Sequence, residues 1–571
     1  METQRTADQG GDGGAGAGGY PRWVILCRYG EYQGYERDDS FPPFSTPDAK
    51  TKAASVFSSG GHHVRVSLCL DAPPVSSRVC FDFFPRIGGG RGASLAVVAA
   101  HGDSVLVRLS YQGEGYRYGD DGVLDYFVYN AGAAAADPPR PPSLSLLPAY
   151  VTTDADEEES ETWRPRHDLD ERTTGLLRRG EDDMVVVDLA VMEEGDELEE
   201  AELLVLRSGE WTVTRAPVVH FDGRAEKLPS WITDMAVPVG ERRMCWADLY
   251  RGIILCDVDD VFDQNPQLRF VPLPPEALTD ESNDDDDYDD HTRKYVIAER
   301  SVCVTGGGAA LKFIDVIPRC CCGRPGPTYC GHSTGAFIIK PWILRVDDGS
   351  GDMAWTMDAM VDASELWSSH AFAGLPHAIP EHPIVSIDDP HLISFMVDER
   401  ESEGRYCRIK ETWMILFDTR SKTLLSAISC SHGRNFLPSK VSSYFTSSNG
   451  SCSNGGAMSE PAVIIDKAPT HDAIIGDSVR ISCESSGAKH FRVSGSVASP
   501  DEIFAALEEI PELSRHDLLR AYSMLCHDNG RRFKSLLGLP MSLRKTWLLM
   551  EIQTCEDCAV CCGCMTDLQN A

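Results

Sequence analysis

Apolar residues along the chain gather in short runs separated by clusters of Gly, Pro, Asp and Ser, a pattern that predicts strands joined by turns. The densest group is Met244–Pro275. There Met244–Ala247 and Ile253–Val258 flank the loop Asp248–Gly252, and Leu268–Leu273 follows an Asn265-Pro266 turn. Pro272 and Pro274 cannot donate ladder hydrogen bonds, so the third strand ends there. The reading is an antiparallel meander, with Gly252 expected to take the positive φ of a short hairpin loop.

The same rhythm runs through most of the chain. Order is expected to begin at Pro21–Cys27, followed by strands at Val64–Leu70, Val79–Phe84, Leu95–Ala100, Val105–Leu109 and Tyr126–Tyr129. Next come Met184–Ala190, Leu203–Leu206 and Trp211–Ala216, then the central meander. Beyond it lie Tyr295–Ala298, Ser301–Val304, Leu311–Ile317, Ala336–Val346 and Met353–Met357. The last are Ile384–Ile387, Leu392–Val397, Thr412–Phe417 and Thr423–Ser426. So many short strands without helical alternation predict a mainly β protein. The expected body is β-propeller-like, built of antiparallel meanders in six or seven blades. No WD or kelch signature recurs at a fixed period, and several packed β-sandwich-like domains are the alternative.

The pattern changes after residue 498. Ser499 begins a helical period with Ile503, Phe504, Leu507 and Ile510 on one face, stopped by Pro511. Ser514 with Asp517 reads as a variant capping box for a helix carrying Leu518, Leu519, Tyr522 and Leu525. Further pieces start near Arg531 and after Ser542. The expected organisation is a disordered Gly-rich segment 1–20, a β body 21–498, a helical appendage 499–553 and a Cys-rich tail 554–571. Acidic loops near 151–172 and 276–294 interrupt the body, and 439–460 reads as a flexible loop within it.

Composition narrows the function. Lys and Arg total 53 against 88 Asp and Glu, a formal net charge of −35 over 571 residues. That field repels phosphate backbones, so nucleic acid is not an expected partner. A basic protein is favoured instead. No run of about 18 apolar residues exists to span a membrane. The N-terminus lacks an export signal, and 20 cysteines are then expected to be reduced, in cytoplasm or nucleus.

Motifs with chemical potential all have plainer readings. Gly331-His332-Ser333-Thr334-Gly335 fits a nucleophile elbow in letters, but lacks the required strand before it and helix after it. Cys320, Cys321, Cys322, Cys330 and His332 lack the two C-x2-C pairs of a usual zinc site. The tail Cys555, Cys558, Cys561, Cys562 and Cys564 has overlapping C-x2-C spacings that suit metal or redox chemistry, with an exposed, functionally silent tail as the favoured reading. Val304–Gly308 follows a strand without the G-K-[ST] of a phosphate loop, and the Gly88–Gly92 run is no better. Asn449-Gly-Ser451 is a glycosylation sequon only in an exported chain. Asp248 and Asp257 are expected to bond local backbone. No catalytic, cofactor-binding or metal-binding residue is therefore assigned, and no cofactor.

Trp246-Ala-Asp248-Leu-Tyr250-Arg251-Gly252 through Val258, with Leu268–Pro274, resembles the signature of the plant domain of unknown function 1618, a family expanded in grasses. Asp125–Tyr129 with Pro142–Pro148, and Thr174–Gly180 ahead of Val185–Leu189, resemble the upstream stretches of that family. Leu519–Leu525, His527–Phe533 and Leu536–Trp547 are similar to a helical ending found in its members. The resemblance implies no activity, cofactor or catalytic residue. Its layout is similar to propeller-like regions that accompany F-box domains. The expected function is a non-enzymatic protein-interaction scaffold, the alternative being an enzyme whose site is assembled from distant propeller loops.

Overall fold

The computed structural model describes residues 19–33, 47–84, 93–112, 122–150, 168–278, 298–318, 336–446, 465–466 and 500–549, with short internal breaks. The 1–18 stretch, most of both acidic loops, Gly88–Gly92, Gly331–Gly335, both cysteine clusters, Asn449 and most of 439–460 lie outside the described residues.

The protein is mainly β, built of antiparallel meanders in chain order. Ser94–His101 begins the meander that runs through Ser104–Tyr111, Val123–Asn130 and Ser143–Leu146. Thr174–Arg179 begins the next, through Asp183–Val191, Glu200–Arg207 and Glu210–His220. The central meander is Met235–Val239, Arg243–Asp248, Gly252–Asp257 and Leu268–Pro272. Its last strand pairs in parallel with Glu210–His220, joining these two meanders into one eight-stranded sheet. Arg300–Thr305 leads the following sheet and Glu381–Val385 the one after.

The remaining sheet draws on two distant parts of the chain. Val24–Cys27 pairs antiparallel with Phe436–Ser439 and parallel with Ser76–Phe84. A strand from the N-terminal part and one from the far side of the body thus close the structure on itself. Six strands lead the six meanders: Ser94–His101, Thr174–Arg179, Met235–Val239, Arg300–Thr305, Glu381–Val385 and Phe436–Ser439. Each packs on the next, and the last packs on the first. Apolar clusters fill the spaces between sheets, such as that of Val239, Leu255, Phe313 and Trp342.

Several sequence expectations change. The central meander stands where its apolar runs placed it, and gains Met235–Val239 as a first strand. Gly252 is not in the left-handed region; it is paired in the ladder opposite Asp248. A Cβ there would lie 2.5 Å from the Val271 carbonyl oxygen and 2.9 Å from Phe270 Cζ, so close approach is what requires glycine. Phe436–Ser439 is a strand at the edge of the segment read as a loop. Met353–Met357 shrinks to the two-residue strand Thr356–Met357, and of Tyr295–Ala298 only Ala298 is described, in a helical turn.

In the helical region Pro500–Glu508 and Arg515–Cys526 form, and Ile503, Leu507, Ile510, Ala521, Leu525, Phe533, Leu536 and Leu548 bury one another. Phe504 is exposed, against expectation. The Ser514 hydroxyl accepts from the Asp517 amide (3.1 Å), one half of a capping box, and also donates to the Asp517 carboxylate (2.6 Å).

Candidate functional site

The six leading strands enclose a cavity of about 570 Å³. Its wall takes Ala99–His101, Arg178, Met235–Pro238, Arg300–Val304, His382–Ile384 and Phe436–Ser439, one segment from each strand. The C-terminal ends of the strands gather at one mouth. There the Arg178 amide donates to His101 Nδ1 (2.9 Å), and Thr305 Oγ1 donates to the Ser386 carbonyl (3.0 Å). Lys440 meets Asp388 at 3.0 Å in the same region. A Cβ at Gly308 would lie 2.6 Å from Gly240 Cα, so two of these turns touch backbone to backbone.

Proline marks the wall. Pro238, Pro383 and Pro438 each sit in a leading strand and each lines the cavity. A leading strand has one edge without a ladder partner, where a missing N–H leaves nothing unsatisfied. A turn glycine with positive φ follows four of these strands, at Gly102, Gly180, Gly240 and Gly306. Strand, glycine, strand was a legible signal of this ring that apolar runs alone did not reveal.

The charged groups are largely matched. Arg178 pairs with Asp103 (3.0 Å) and Arg300 with Asp315 (3.0 Å). Arg434 spans Glu381 (3.1 Å) and Asp398 (2.5 Å). Arg300 also donates to the Leu249 and Ala277 carbonyls at 2.9 and 3.0 Å, so the turn after Trp246 backs a residue of the cavity wall. Burial pushes His101 down to about 4 and, with Arg434 nearby, His382 to about 4, so both imidazoles are neutral at pH 7. His382 also holds a φ of 53°, at an irregularity between Glu381 and Ile384. Beside Arg300, burial and the Asp315 charge raise Glu299 to about 7. Burial raises the Cys303 thiol, which lies 3.4 Å from Ser301 Oγ.

The residues singled out in the sequence fall mostly elsewhere. Gly307 and Gly308 line the cavity at the turn after Arg300–Thr305. Asp248 is fully buried and accepts from the Ile232 amide (3.1 Å), the Tyr250 amide (2.9 Å) and Arg251 Nη1 (3.3 Å). It organises its own turn, and Asp257 pairs with Arg242 and Arg243. Among the described residues no group of three or more His, Cys, Asp or Glu could hold a metal ion. None of their helices is long and apolar enough to cross a membrane.

No curated protein matches the chain. A family model described as "Protein of unknown function (DUF1618)" matches residues 246–394, from Trp246 of the central meander through the strand that starts at Leu392. Over that segment the chain is similar to the DUF1618 family of proteins of unknown function.

Proposed function

We propose that the protein is a non-enzymatic recognition scaffold, a six-bladed β-propeller whose binding site is the channel between the leading strands. The observation that carries this is the cavity itself, with a wall segment from each of six strands that pack in a closed cycle. Cavities of about 300–1,000 Å³ are the size that receives small ligands or single anchoring side chains. The non-enzymatic part rests on the state of the lining groups. Cys303 is held as a buried thiol, His101 spends Nδ1 on a backbone amide, and Arg178, Arg300 and Arg434 are bound to carboxylates. An activated nucleophile beside a free base is not found among these residues. A basic protein would be drawn to the acidic exterior. Free thiols at the seven cysteines whose side chains are described, including Cys69 and Cys80 with sulfurs 3.3 Å apart, support a reducing compartment, cytoplasm or nucleus.

An enzyme with a site assembled from several sheets is the second reading. It draws on neutral His382 in its left-handed backbone and on Glu299 titrating near neutrality, as acid–base groups do. Fragment binding followed by ligand-observed NMR separates the two. The scaffold reading expects saturable binding that Val237→Phe, which narrows the channel, abolishes, with every fragment recovered unchanged. Conversion of a bound fragment to product would overturn it, and binding indifferent to Val237→Phe would remove the channel.

A further inference from the structure

One cation of the channel, Arg28, differs from Arg178, Arg300, Arg434 and Lys440. Arg28 follows the strand Val24–Cys27, where the chain passes between the last leading strand and the first. Its amide donates to the Asn435 carbonyl (2.9 Å) and its carbonyl accepts from the Val97 amide (2.7 Å). The ladder of Ser94–His101 slips between Val97 and Ala99, and this irregularity turns two carbonyls toward the arginine. Arg28 Nη1 donates to both, to Val97 at 2.9 Å and to Val98 at 2.6 Å.

Those two bonds use both hydrogens of Nη1. The Nε and Nη2 hydrogens have no hydrogen-bond partner among the described residues, and no described carboxylate stands within ion-pair distance. Arg178, Arg300, Arg434 and Lys440, by contrast, each hold a carboxylate. Glu171 and Asp170 act on Arg28 only through space, while burial works against its charge. Arg28 is half-buried, so its remaining N–H groups stay accessible from the channel, and partial burial of its charge without a contact counter-ion carries a cost. An incoming anion would relieve that cost. The side-on pair Nε–H and Nη2–H matches two oxygens of a carboxylate or phosphate. Ala99, Val302, Ile384 and Leu437 supply an apolar wall beside it.

We propose that the channel binds an amphipathic organic anion, with its carboxylate or phosphate head on Arg28 and its apolar body along the channel wall. The inference rests on the channel being the binding site. It also gives an acidic protein an anion specificity that its overall charge opposes, so association should quicken as salt screens the exterior field.

The test uses the full chain with heptanoate and phenyl phosphate as anionic probes, and 1-heptanol and benzyl alcohol as neutral counterparts, titrated by calorimetry. The expected result is that at least one anion binds about tenfold or more tighter than its neutral counterpart, in keeping with a charge-assisted hydrogen bond. Whichever anion binds tighter assigns the head as carboxylate or phosphate. Arg28→Met should remove the preference and leave the neutral probe unchanged. Arg28→Lys, which keeps the charge and loses the fork, should keep a weakened preference and guards against a Met variant that does not fold. Equal binding of anions and neutral probes, or an anion preference that survives Arg28→Met, overturns the proposal. If Val237→Phe blocks both kinds of probe in that case, the channel stands and only the anion assignment falls. If Val237→Phe blocks neither, the channel reading itself has failed.

Discussion

The indole Nε1 of Trp246 donates a 2.6 Å hydrogen bond to the carbonyl oxygen of Thr173. The tryptophan belongs to the central meander, and Thr173 precedes the leading strand of the meander before it. Trp246 is fully buried, and the Thr173 carbonyl also accepts from the Leu189 amide at 3.4 Å, so a broken indole bond would leave it only that longer one. Trp246→Phe keeps most of the volume and should cost about 1 kcal/mol, the net worth of one hydrogen bond. Trp246→Ala should cost about 4 kcal/mol by adding a cavity. Urea denaturation measures both. A Phe variant as stable as the native protein would show that this bond does not hold the two meanders together.

Gly252 tests how the same stretch packs. It sits in a ladder, not in a left-handed turn, and the obstacle to a side chain is the Val271 carbonyl oxygen, 2.5 Å from where a Cβ would sit. Backbone cannot swing aside as a flexible side chain can, so Gly252→Ala should destabilise by about 2–3 kcal/mol. Gly240→Ala is the contrast. Gly240 has φ +60°, and a Cβ added there would meet nothing within 4 Å, so only the left-handed penalty applies, about 1 kcal/mol. Thermal melts that rank the two variants the other way would contradict the close-approach account.

The strands with dense apolar runs were legible because burial on both faces leaves little room for polar residues, as in Val185–Leu189 and Ile253–Leu255. Asp248 was legible too, since a carboxylate in a tight turn bonds nearby amides. The cavity was not. Met235–Val239 and Phe436–Ser439 were missed because proline interrupts them, and proline in a strand argues against that assignment unless the strand has an open edge. Which edges are open depends on contacts between residues far apart in sequence. Arg28 is hidden for the same reason, since its role depends on Val97 and Val98, 69 and 70 residues away.

Lys312 has a fully buried side chain, an unusual position for a lysine. Its Nζ donates to Asp358 Oδ2 at 2.9 Å and to the Pro390 carbonyl at 2.5 Å, tying two loops to the strand Ala310–Pro318. Burial lowers the lysine's proton affinity. For Asp358 burial acts in the opposite sense to Lys312, and the lysine wins, holding the carboxylate below its usual range. Lys312→Met should cost about 3 kcal/mol by leaving Asp358 without its main partner. Adding Asp358→Asn should restore part of the loss, because the stranded charge is gone. A double variant no more stable than Lys312→Met would show that the ion pair is not the source of the effect.

His101 makes stability depend on pH in a stated direction. Burial lowers its pKa from 6.5 to about 4, with Asp103 opposing the shift and Lys440 adding to it. In the interval between those values the unfolded chain binds the proton and the folded one does not. Stability from this group is therefore complete above about pH 6.5 and is lost as pH falls toward 4. A shift of that size corresponds to about 3 kcal/mol as an order of magnitude. His101→Asn keeps an acceptor for the Arg178 amide and does not titrate, so its stability should fall less between pH 7 and pH 4.5. Denaturation midpoints of the two proteins, compared across that range, should converge as the pH is lowered. Parallel curves would show that His101 is not held neutral by burial.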